Sequence, residues 1–188
     1  MNLLNKIWTI LLLTAFTSGV SAQQQDHESG SPDKDKILDF YQTQRYVEAA
    51  KYLEGFYPGE VSDTKVLAQL AYVNMMAGQL SQAENSYLKL NEQQPGSLPV
   101  LFNLALIQVK RGNDEKARGY YKEIINIDST SFKAYKQLAG LTLEKPAEKI
   151  SYLQKANKLN PIDADVVVDL CEVYFKMNQF ATANSLLI

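Results

Sequence analysis

The chain of 188 residues contains one histidine and one cysteine. A lone imidazole, His27, has no partner with which to share a metal ion and leaves no base for a Ser-His arrangement. A lone thiol, Cys171, cannot form an internal disulfide. Neither sign of charge is in excess. The 19 Lys and Arg against 21 Asp and Glu leave a net charge of −2, and the basic surface that nucleic acid requires is missing. There is no Gly-rich phosphate loop carrying a Lys, no HExxH and no paired Cys. The close acids Asp163 and Asp165, or Glu144 and Glu148, read as helix-start and solvated charge. The expectation is therefore a protein that is not an enzyme, with no catalytic residues, no cofactor, no metal and no nucleic-acid partner. What is abundant is core-forming material. Hydrophobic residues make up 46% and charged residues 21%, a balance that supports a packed interior rather than disorder.

Long apolar runs are also scarce. The stretch Ile7–Phe16 (IWTILLLTAF) follows a short positive region, the amino terminus and Lys6, and precedes the small and polar residues Thr17–Ala22. It is too short to cross a hydrocarbon core of roughly 30 Å as a helix. Residues 1–22 read as a secretory signal with Val20 and Ala22 at the positions a signal peptidase inspects. No Cys stands there to take a lipid. Residues 23–35 (QQQDHESGSPDKD) offer nothing to bury and read as a flexible leader holding His27. An exported chain follows as the expectation, in the periplasm, at the outer membrane or secreted. No stable membrane span would remain after cleavage.

The remainder reads as all-α, with apolar residues at three- and four-residue spacing and no segment alternating with period two. It also repeats itself. The pairs Leu70-Ala71, Leu104-Ala105, Leu138-Ala139 and Leu170-Cys171 lie 34, 34 and 32 residues apart. Each follows a bulky residue three positions earlier: Leu67, Leu101, Tyr135 or Val167. Ala83, Ala117 and Ala183 mark a second helix, with Tyr87, Tyr121 and Leu187 four residues on. Gly78-Gln79, Gly112-Asn113 and Asn178-Gln179 stand between the helices, where a left-handed residue is needed. Asp63, Ser97, Ser131 and Asp163 are placed to cap first helices. Pro58-Gly59, Pro95-Gly96 and Asn160-Pro161 punctuate the ends of second ones. In residues 132–163 the spacing predicts a turn shorter by two residues, with Pro146 opening the second helix and Lys149 in place of the usual Ala. The first helix of residues 31–63, around Ile37 to Gln42, reads as short. A helix pair of this size cannot bury both its apolar stripes. Small residues let helices approach, large ones fill the gaps between neighbours, and stacking yields one continuous core.

This pattern resembles the tetratricopeptide repeat. Residues 64–97 carry it best, with Leu67, Leu70, Ala71, Gly78, Leu80, Ala83, Tyr87 and Pro95, and residues 98–131 nearly as well, with Ser129 where Pro is usual. The resemblance implies a right-handed superhelical solenoid of antiparallel helix pairs over residues 36–188, in about five repeats: 31–63, 64–97, 98–131, 132–163 and an incomplete 164–188. It also implies a protein-interaction scaffold that takes a peptide or helix on the concave face of the first helices. The positions carried over are Tyr72, Met75, Phe102 and Leu106 as apolar contacts and Lys110, Lys133 and Lys136 as a polar rim. Leu106 has a second reading, packing between neighbouring first helices. A family variant clamps an acidic chaperone tail through Lys, Asn, Asn, Lys and Arg. Here only Asn103 and Lys133 match, while Ala68, Tyr72 and Gln137 do not. The leading expectation is an exported bacterial scaffold of the cell envelope. The alternatives are the leading module of a longer envelope protein or enzyme, and self-association through a short last helix that ends in Leu186, Leu187 and Ile188.

Overall fold

The computed structural model describes residues 31–186. The signal, His27 and most of the leader lie outside the described residues, as do Leu187 and Ile188. Among the described residues there are ten helices and no strand. They are α1 (Lys34–Gln42), α2 (Tyr46–Phe56), α3 (Thr64–Met76), α4 (Leu80–Gln93), α5 (Leu98–Lys110), α6 (Asp114–Ile127), α7 (Phe132–Gly140), α8 (Pro146–Leu159), α9 (Ala164–Lys176) and α10 (Phe180–Ser185). None is long and apolar enough to cross a membrane. From α3 onward the first helices of successive pairs begin at the spacing of the Leu-Ala pairs, and the second helices begin 34, 32 and 34 residues apart. The principal packing of each helix is against its neighbours in sequence, the arrangement of an all-helical solenoid of helix pairs.

The Leu-Ala pair explains how the pairs stack. Adjacent helix residues point about 100° apart, so the two members serve different interfaces. Ala71 and Ala105, both fully buried, face the second helix of their own hairpin. Leu70, Leu104 and Leu138 face the hairpin before. One core joins α1 and α2 to α3 through Phe40, Leu53 and Leu70. The next joins α3 and α4 to α5 through Leu67, Tyr87 and Leu104. A third joins α5 and α6 to α7 through Leu101, Tyr121 and Leu138. The last runs from Ala139 through Leu153 and Leu170 to Ala183. Cys171 occupies the small slot of α9 and is buried, with its thiol 3.5 Å from the Ala183 carbonyl.

Four of the five hairpin turns share one hydrogen-bond scheme. The amides of Arg45, Gln79, Asn113 and Gln179 donate to the carbonyls of Phe40, Asn74, Gln108 and Tyr174 at 2.8–2.9 Å. The residue before each donor is left-handed: Gln44 (φ 55°), Gly78 (77°), Gly112 (72°) and Asn178 (59°). This is a Schellman closure, which satisfies carbonyls orphaned at a helix end.

The sequence expectation was wrong at the fourth hairpin. The turn there is not shorter. Instead α7 has 9 residues where α3 and α5 have 13, and Leu141–Lys145 spans the gap to α8. The starts of α7 and α8 are 14 residues apart where those of α3 and α4 are 16, and no residue of Leu141–Lys145 takes the left-handed conformation that closes the other turns. The segment is held instead by Thr142, whose buried hydroxyl donates to the Leu138 carbonyl (2.7 Å), and by Arg118, which donates to the Leu141 carbonyl (3.0 Å). The caps divide as well. Asp63 accepts from the amides of Lys65 and Val66 at 3.0 and 2.9 Å, and Asp163 from Val166 at 3.1 Å. Ser97 and Ser131 make no side-chain cap bond. Asp33, placed in the leader by sequence, caps α1 through the amides of Asp35 and Lys36.

Candidate interaction surface

The outward stripe of the first helices recurs with the repeat. It comprises Lys65, Ala68, Tyr72 and Met76 on α3, and Phe102, Leu106 and Lys110 on α5. Lys133, Lys136 and Gly140 continue it on α7, and Asp165, Val168 and Glu172 on α9. Tyr72 is 39% exposed and Leu106 38%, while Met76 and Val168 are more open. The apolar part of the stripe therefore contacts solvent at several repeats.

Met75 does not belong to it. Only 7% of it is exposed, and it packs in the core with Leu67, Ala71 and Leu104. From Lys65 three full helical turns take about 11 residues, which brings Met76, not Met75, to the face. Lys136 is also not a free rim cation. Its ammonium bridges Asp163 (2.9 Å) and Asp165 (2.8 Å) at the start of α9, so it ties two repeats together. Donation to the Asp165 and Asp163 carboxylates raises the Lys136 pKa, and the same bond lowers that of Asp163. Lys110 and Lys133 are exposed as expected.

Aromatic rings organise the face. Tyr72 meets Tyr41 and Tyr46 edge-on, at centroid distances of 5.8 and 6.4 Å, which makes a three-tyrosine cluster where α1, α2 and α3 adjoin. Burial pushes the Tyr72 phenol up from its ordinary value, and the neighbouring Tyr46 adds to that. Phe102 is half-buried against Tyr121, and the Lys133 ammonium of α7 lies 5.0 Å from its ring centroid. Phe102 and Lys133 thus form one cation–π contact across a repeat boundary.

A second set of residues escaped the sequence reading. Asn74, Gln108 and Thr142 are the buried polar residues of the core, and with Tyr174 they occupy the same repeat position. Gln108 donates to Glu84 of α4 (2.6 Å) and accepts from Asn113 (3.0 Å), while Arg111 pairs with the same Glu84. Tyr174 accepts from Gln154 of α8 at 2.8 Å. These bonds fix how one hairpin seats on the one before. The signal was present in the period itself: a polar residue returns with it on an otherwise apolar face.

The described residues carry likenesses to known proteins. Solved structures of MamA superpose on four-fifths of this chain. MamA 41-end from Desulfovibrio magneticus RS-1 gives a TM-score of 0.69 at 17% identity and covers 81% of this chain and 88% of that one. A MamA RS-1 ArsTM double mutant gives 0.70 at 17%, covering 81% and 87%. At these identities the likeness is one of fold. A human FK506-binding protein-like sequence is 28% identical over 102 residues, 54% of this chain, and the match spans 29% of that protein's length. A tetratricopeptide repeat model matches residues 100–131. That stretch is the hairpin α5–α6, and the hairpins on either side reproduce its packing at a similar spacing.

Proposed function

We propose that this protein is a noncatalytic interaction scaffold that holds a peptide or helix of another protein against the outward stripe of its first helices. The observation that carries this reading is the pair of exposed apolar side chains Tyr72 and Leu106 at the same position of the neighbouring first helices α3 and α5, with Val168 exposed one turn earlier on α9. A row of this kind fits a ligand that runs across repeats, and contiguous exposed apolar area usually marks contact. Lys65, Lys110 and Lys133 flank the apolar part on α3, α5 and α7 without an exposed acid between them, so the bound segment would carry acids beside its apolar residues. We place this scaffold in a bacterial cell envelope, on the strength of the signal-like residues 1–22.

The test is recovery of partners from envelope extract with wild type and with a Tyr72→Ala/Phe102→Ala double variant whose helicity and melting are checked first. Loss of a partner band supports the assignment, and identical recovery overturns it. For export, the amino terminus of protein from fractionated cells should be Gln23. A cytoplasmic product retaining residues 1–22 would overturn that part.

A further inference from the structure

The second helices carry their own repeating position. Their seventh residue is Tyr52 in α2, Tyr120 in α6 and Tyr152 in α8, and Leu186 follows α10 at the same spacing. Tyr120 and Tyr152 fill the grooves between their own second helix and the one before. Tyr120 packs on the cores on both sides of it, and so does Tyr152. Tyr52 packs on the first core, and its hydroxyl accepts from the Asp33 amide at 3.1 Å. In α4 the residue is Ser86. At that place a cavity of about 250 Å³ opens between α2, α3 and α4, lined by Tyr57, Val61, Leu70, Asn74, Ser86 and Lys89 among others.

Asn74 adds an independent observation. It is 3% exposed, and its Oδ1 has no hydrogen-bond partner. Its Nδ2 reaches only Glu54, at 3.5 Å. The equivalent Gln108 one repeat later is satisfied at both ends. A buried amide oxygen left unpaired is costly. The second repeat thus lacks two things in one place: an aromatic ring between second helices, and a donor over Asn74. A phenol has both, and the volume is below the roughly 300 Å³ at which pockets for whole small-molecule ligands begin, so a single side chain suits it.

We infer that the groove between α2 and α4 receives a tyrosine side chain from a partner protein, at a site separate from the first-helix stripe. The partner ring takes the place that Tyr120 and Tyr152 take within the chain, and its hydroxyl donates to Asn74 Oδ1.

The experiment uses the full chain, 15N-labelled, titrated with p-cresol as the tyrosine side-chain analogue, with toluene, and with a blocked Gly-Tyr-Gly peptide. The expected result is p-cresol shifts centred on the Asn74 side-chain amide, Ser86 and Leu70, with toluene about fivefold weaker for want of the hydroxyl. The peptide should bind at least as well as p-cresol. Ser86→Tyr should fill the groove from within, abolish p-cresol binding and raise the melting temperature. Tyr72→Ala should leave p-cresol binding unchanged, which separates this site from the stripe. The inference is overturned if p-cresol leaves those resonances unmoved, if toluene binds equally, or if Ser86→Tyr still binds p-cresol. A peptide excluded while p-cresol enters would make the groove a small-phenol site, and a solution mass that falls on Ser86→Tyr would make the occupant a second copy. Either result overturns the assignment to a partner.

Discussion

Ala105 has no solvent contact and sits where α5 closes on α6. Ala105→Leu has no free volume to enter, so it should cost about 1–3 kcal/mol, read as a lower urea midpoint. The same enlargement at exposed Ala68 on α3 should leave the midpoint within about 0.5 kcal/mol of wild type. Tyr87 presents a different constraint. It is buried beside Leu67 and Leu104, and burial pushes its phenol up to about 12. The unfolded chain ionises a tyrosine near its ordinary value of about 10. Raised in the folded state, this group contributes stability that is complete below about pH 10 and is lost as pH rises toward about 12. Urea midpoints measured from pH 9 to 12 should therefore fall less steeply in Tyr87→Phe than in wild type. Equal slopes would refute the assignment.

At the scale of the helix, Asp63 and Ser97 occupy the same cap position and behave differently. Asp63→Ala should cost about 1 kcal/mol because two amides of α3 lose their acceptor. Ser97→Ala should change the stability by under about 0.5 kcal/mol, since that hydroxyl makes no cap bond. Thermal melts of the two variants check the contrast. Gln44 closes the first hairpin with a left-handed backbone at φ 55°, so Gln44→Gly should relieve about 1 kcal/mol of strain and raise the melting temperature. Helix starts, the Leu-Ala division of labour and the Gly turns were legible in the sequence because each is set by residues a few positions apart. The fate of Ser97 was not, because whether a hydroxyl turns toward an amide depends on rotamer and packing. Met75 was misplaced for a third reason. Three- and four-residue steps both fit a helix locally, and only the full count over three turns separates Met75 from Met76. Lys136 read as a rim cation because its acids lie in the next repeat.

For the whole molecule the decisive fact is that packing is local in sequence. Three of the cores span one hairpin and the helix that follows, and the last runs from α7 to α10, so a defect should stay near its origin. Leu104→Ala removes a fully buried side chain that joins α5 to the α3–α4 hairpin, and should cost about 2–5 kcal/mol. Native-state hydrogen exchange should show the lost protection concentrated in α3–α6, with α9 little changed. Uniform loss along the chain would refute this. The double bridge from Lys136 to Asp163 and Asp165 joins repeats by charge rather than by apolar contact. It stands beside the shortened α7, where the first helix offers less area to its neighbours. Under tension the chain should therefore part hairpin by hairpin, with the joint between α7 and α9 the one whose rupture force falls most when salt is raised.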